Sequence, residues 1–167
     1  ISIVNCDFKL SEGVFARRFQ KIATHTLSPV QYVSGSNRRI HHGINRARDA
    51  ILVASKSKLR CGIGDTDFIQ AFDWLVLQWV WLVLERKGLC RETIMKLENL
   101  YKNGITITMV NDVQGKVFTD RRGSLRQGGA GSMTWFAYGI DPLLDYLDRR
   151  LQGIPIVSHP VSGPQVE

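Results

Sequence analysis

Apolar positions along the chain fall into periodic runs separated by glycine, proline and small polar residues. Most of these runs have the helical period, and one pair has the strand period. Between Ser11 and Ala23, Val14, Phe15, Phe19 and Ile22 lie near one helical face, with Arg17, Arg18 and Lys21 largely opposite. Leu27-Ser28-Pro29 breaks the pattern, and residues 33–37 (VSGSN) read as a loop. A second basic helix is predicted from about Arg38 to Ala54, with Ile40, Ile44, Ala47 and Ile51 inward. Lys58 to Asp67 alternates as a strand would, carrying Leu59, Cys61 and Ile63 on alternate positions. Phe72 to Lys87 is the most apolar stretch, and its run from Trp74 to Leu84 falls well short of the roughly 20 residues a bilayer needs. It predicts a buried helix stopped by Gly88. Further helices are expected at Arg91–Lys102, closed by Gly104, and at about Met133–Leu151. Between them, residues 105–110 (ITITMV) and 116–119 are expected to pair as a hairpin across a loop at 111–115. The residues from Gly153 to Glu167 hold three prolines and no period, and read as loop or linker.

Composition narrows the classes. Apolar residues make up 44% and charged residues 22%, which suits a globular domain and not a disordered tail. Cys6, Cys61 and Cys90 are odd in number and far apart, which speaks against a disulfide framework and for a reducing compartment. With His25, His41, His42 and His159 they form no zinc spacing, and His41-His42 reads as a solvated helix face. The charge of +7 is unevenly spread. Residues 1–60 carry eleven Lys/Arg against three acids, whereas residues 61–167 carry eleven against twelve. A basic half beside a neutral half suits a polyanion partner and a separate cation site; a basic solubilising surface is the plainer account.

Two places carry candidate chemistry. Asp65 and Asp67, at i and i+2 of the expected strand, would share a face close to Asp73. Like charges so close call for a cation, and hard ions such as Mg²⁺ take carboxylate oxygens. The alternative gives Asp65 a turn role and Asp73 a helix-start role. The glycine-rich segment RRGSLRQGGAGS, residues 121–132, lets backbone approach a ligand closely, although no Gly-Lys-Ser/Thr closes it as a P-loop; a flexible connection is the other reading.

Taken in order, four stretches resemble the reverse transcriptases of non-LTR (LINE-like) retrotransposons. ISIVNCDFKL with the helix after it is similar to a segment ending in D-Y-K. LSPVQYVSGSNRRIHHGI looks like the S-P-x-Q block of the fingers, and GDTDFIQAFDWL like the first palm motif, D-x-x-x-A-F-D. RRGSLRQGGAGS looks like the R-G-x-x-Q-G motif across the nucleotide. The likeness covers the chain to about residue 156. It implies an α+β right-hand polymerase piece with a small antiparallel palm sheet and packed helices, lacking the later palm strands. Residues 1–57 would be a basic helical fingers-like segment, 58–152 a partial palm and 153–167 a linker tail.

The resemblance also implies roles. Asp67 would be the catalytic carboxylate shared by two Mg²⁺ (or Mn²⁺) ions, with the Phe68 backbone carbonyl completing the shell and Asp65 a secondary candidate. Ala71 and Phe72 would line the nucleotide, Phe72 acting as a steric gate against a ribose 2′-OH. Gln127 and Gly128 would touch the incoming nucleotide, while Arg38, Arg39 and Arg126 would meet phosphate or nucleic acid. Partners implied are an RNA template, a DNA primer, dNTP and the remainder of a parent polyprotein, in a cytoplasmic ribonucleoprotein or the nucleus, with no membrane. The family's Tyr/Phe-x-Asp-Asp hairpin does not occur before Glu167, and Gly129-Ala130 stands where Cys-Pro or Asp-Pro is usual. The expectation is thus an internal piece, inactive alone, with a sheet edge open to self-association. The alternative is a decayed, non-catalytic RNA-binding or scaffold module of the same fold.

Overall fold

The computed structural model describes residues 4–102, 104–119 and 123–153. The expected tail, and the arginines opening the glycine-rich segment, lie outside the described residues. Six helices and one two-stranded antiparallel sheet make up the regular structure there: α1 (Cys6–Thr26), α2 (Ile40–Lys56), α3 (Ala71–Trp74), α4 (Leu77–Arg86), α5 (Arg91–Tyr101), β1 (Ile105–Val110), β2 (Val113–Thr119) and α6 (Ser132–Arg150).

Helix α1 begins earlier than the periodicity suggests, because Asn5 caps it by accepting a 2.8 Å bond from the Asp7 amide. Its buried row is Phe8, Glu12, Ala16, Phe19 and Ala23. Phe19 is inward as expected, but Val14 and Ile22 face solvent. Glu12 accounts for that rotation, since its inward carboxylate is held by Tyr101 and Trp135. Arg17, Arg18 and Lys21 are exposed, as predicted.

Four helices share one aromatic core. Phe19 of α1 stands edge-on to Trp135 of α6 at 4.9 Å, and Trp81 of α4 meets both Trp135 and Tyr101 of α5. Helix α4 ends in a Schellman motif: Leu89 N–H donates to Leu84 C=O, Gly88 N–H to Glu85 C=O, and Gly88 takes φ +91°. The glycine stop was legible in the sequence.

Three predicted elements are corrected. Lys58–Asp67 is no strand: the segment is irregular and exposed throughout, with Ile63 76% accessible. Alternation marks two faces but supplies no ladder, and among the described residues no strand pairs with it. The helix expected over Phe72–Lys87 is two pieces, because Val76 forms a bridge with Ser124 and Leu77 N–H donates to Gly123 C=O at 2.8 Å. Trp74, expected inside, is 68% exposed as a result. Helix α2 forms close to its predicted span, yet Ala54 is its one buried residue, and Ile40, Ile44, Ala47 and Ile51 are exposed. Its amphipathic pattern is real, but within the described residues little covers the apolar side.

The hairpin is tighter than expected. Asn111 and Asp112 both have positive φ (49° and 61°), the signature of a two-residue type I′ turn, so β2 starts at Val113. Every residue of both strands is exposed.

A polar network locks the helix ends. Asp141, fully buried on α6, accepts from Ser28 N–H at 2.8 Å and pairs with Lys87 Nζ at 2.5 Å. The same ammonium donates to Thr26 C=O at 2.7 Å, and Thr26 Oγ1 lies 2.7 Å from the Tyr138 hydroxyl. Burial pushes the Tyr138 phenol up, so it stays a neutral partner. Among the described residues no helix is long and apolar enough to cross a membrane.

Candidate functional site

The two stretches singled out for chemistry meet along the start of α6. Gln70, in the left-handed region at φ 51°, turns the chain into α3, which brings Ala71 and Phe72 inward to half-burial. The Phe72 ring lies 5.2 Å from the Phe136 ring of α6, and the Phe68 ring lies 6.3 Å from it. Beyond α3, the Val76–Ser124 bridge and the Leu77–Gly123 bond fasten this segment to the strand of chain that leads into the turn. Leu75 packs onto Gly139, where a Cβ would come within 2.6 Å of its side chain. A larger residue at 139 would push the segment off α6.

Gln127 and Gly128 sit exposed in the turn before α6. Gly128 has φ +82°, which favours glycine there, and the turn is closed by Gly129 N–H donating to Arg126 C=O at 3.2 Å. Ser132 Oγ donates to the same carbonyl at 2.6 Å. Leu125, 1% exposed, anchors the turn to the core.

Asp65 and Asp67 project from the irregular, exposed segment. Neither joins an ion pair among the described residues. As exposed carboxylates two residues apart they suit a hydrated Mg²⁺, which typically binds one or two carboxylates and keeps several waters. They do not complete a two-ion set, and among the described residues no three His, Cys, Asp or Glu side chains converge.

The arginines divide. Arg39 is exposed and stands at the start of α2. Arg38 has a different task from the one its sequence context suggests: its guanidinium donates to four carbonyls, those of Ser28, Gln31, Thr24 and Leu27, at 2.6–3.0 Å. These include carbonyls at the C-terminal end of α1, which have no helical partner of their own. Arg126 lies over the Phe8 ring at 4.5 Å and the Tyr101 ring at 5.5 Å, so it is also engaged within the fold. Exposed cations include Arg17, Arg18 and Lys21 on α1, Arg39 just before α2, and Arg46, Arg48 and Lys56 on α2. Each helix thus carries exposed positive charge of the kind that meets phosphate backbones.

Two residues that matter here went unnoticed in the sequence. Phe136 joins the two candidate stretches, but its position on α6 looks like any core aromatic. Glu12 did leave a signal, a carboxylate at helical spacing inside the row Phe8–Glu12–Phe19. No family model, no curated protein and no solved structure matches this chain.

Proposed function

We propose that this chain is part of an RNA-directed DNA polymerase of the LINE-like type, carrying the first catalytic carboxylate and the nucleotide-facing turn. The observation that carries the reading is the meeting of segments 68–77 and 123–136 over Phe136, with the Val76–Ser124 bridge between them. That arrangement supports the reading: Phe68 and Phe72 of the D-x-x-x-A-F-D stretch lie against Phe136 of α6, and Ser124, three residues before Gln127, is bridged to Val76.

In this scheme Asp67, with the Phe68 carbonyl and Asp65 nearby, holds divalent metal. Bound Mg²⁺ or Mn²⁺ would activate the primer 3′-hydroxyl and neutralise the leaving pyrophosphate. Phe72, half-buried against Phe136, presents a ring beneath the sugar, while Ala71, Gln127 and Gly128 line the nucleotide. The basic faces of α1 and α2 hold RNA template and DNA primer through phosphate charge without reading sequence. The remaining carboxylates have to come from elsewhere in a longer polypeptide. The 167-residue chain alone is therefore expected to extend no primer.

The test is primer extension on an RNA template by a polypeptide joining this chain to a Tyr/Phe-x-Asp-Asp continuation. Extension is expected, and Asp67→Ala should reduce it about a thousandfold, roughly 4 kcal/mol of transition-state stabilisation. Extension that survives Asp67→Ala would remove the reading. In the same assay Phe72→Val should raise the ratio of rNTP to dNTP incorporation about 10- to 100-fold, equivalent to 1–3 kcal/mol of lost exclusion. An unchanged ratio would take the gate assignment from Phe72.

The exposure of Asp65 and Asp67 on an irregular segment favours a second reading, a non-catalytic RNA-binding or scaffold module of the same fold. Under that reading RNA binding persists and extension is absent in the longer polypeptide as well.

A further inference from the structure

Glu12 is fully buried, and its neighbours make it more than a core carboxylate. Its Oε1 accepts from the Tyr101 hydroxyl and, at 3.1 Å, from Trp135 Nε1. Its Oε2 has no hydrogen-bond partner. That oxygen lies against the turn leading into α6: a Cβ on Gly129 would stand 2.6 Å from Oε2, and one on Gly131 would stand 3.0 Å from the Glu12 Cγ. The α6 N-cap residue, Gly131, has no side chain with which to cap the helix. A helix N-terminus exposes N–H groups with no helical acceptor and carries partial positive charge, which a buried anion complements. One turn earlier on α1, Phe8 supports Arg126 from below. The α1 face thus bears on the turn at both ends, at Arg126 through Phe8 and at residues 129–131 through Glu12.

We propose that Glu12 is a positioning residue for the nucleotide-facing turn, its carboxylate fixing where Gln127 and Gly128 stand relative to α6. The proposal rests on the polymerase reading for what the turn does, but not for whether Glu12 holds it. Burial, and then the Glu12 carboxylate beside it, push the Tyr101 phenol far above its usual range. A neutral Tyr101 remains the donor to Oε1. The near-contact at Gly129 leaves no room for a side chain, so the carboxylate and the turn fix each other's position.

The discriminating variant is Glu12→Gln, which keeps the shape and one acceptor for Tyr101 and Trp135 while removing the charge. In the 167-residue chain, hydrogen exchange of the amides at 129–132 is expected to rise about tenfold, with the Trp135 indole N–H resonance shifted. In the longer, extending polypeptide, KM for dNTP should rise about five- to tenfold with kcat within about twofold, the split expected when positioning of substrate is lost and chemistry is kept. Gly129→Ala, whose methyl would meet Glu12 Oε2 and Ser132 Oγ and so displace the same turn, should raise KM in the same direction and covers the case in which Glu12→Gln does not fold. Unchanged exchange in a folded Glu12→Gln chain overturns the proposal. So does faster exchange with KM unmoved, which would make Glu12 a stabilising residue only. If the wild-type polypeptide extends no primer, the polymerase reading fails, and the exchange data still decide whether Glu12 holds the turn.

Discussion

Asp141→Ala is expected to destabilise the chain by about 3–5 kcal/mol, read as a lowered urea midpoint with the slope unchanged. The carboxylate has no exposure and serves two groups, the Ser28 amide and the Lys87 ammonium. Its removal leaves the largely buried Lys87 charge facing the Thr26 carbonyl alone, and leaves an amide at the end of α1 without an acceptor. Desolvating an unpaired charge is the dominant penalty, larger than the loss of the pair itself. For that reason Asp141→Leu combined with Lys87→Met should lose much less than the two single changes added together. Additive losses would mean that the two groups act separately.

Arg38→Lys should cost about 2–3 kcal/mol despite keeping the charge. A planar guanidinium reaches carbonyls of Thr24, Leu27, Ser28 and Gln31 at once, whereas an ammonium on a flexible stem cannot span that ring of acceptors. Stability and RNA affinity together separate this task from phosphate contact. Arg38→Gln, which removes the charge, should also unfold earlier yet bind RNA with an unchanged salt slope, while Arg39→Ala should lower the slope by about one with little effect on stability. A slope lowered by about one on Arg38→Gln would place that side chain at the nucleic acid after all.

Much of the helical architecture was legible because it is encoded locally. The apolar rows of α1, α4, α5 and α6 repeat at helical spacing, and Gly88 announces a stop that no other residue type fits as easily. What escaped depends on partners remote in sequence. The break after Trp74 is set by Ser124 and Gly123, and nothing in the run WLVLQWVWLVL points to them. The alternation of Lys58–Asp67 is compatible with a strand, but a strand exists through a neighbour's hydrogen bonds. In α2 the pattern says which side is apolar and cannot say whether anything covers it. The candidate site divides the same way. Phe72, Gln127 and Gly128 were identifiable as residues in motif order, whereas the platform that joins their segments, Phe136, has no local mark. Arg38 and Arg126 look like generic cations in sequence, and the fold spends one on carbonyls and the other on aromatic rings.

The β1–β2 ribbon has a thermodynamic consequence. Solvent reaches both of its surfaces, and its turn is closed by residues adjacent in sequence. Its opening free energy therefore resembles that of a hairpin peptide in water, which is marginal. The ribbon can fray and re-zip on its own clock while the helices stay folded, so a melting curve of the whole chain would report the helical core and pass over the ribbon.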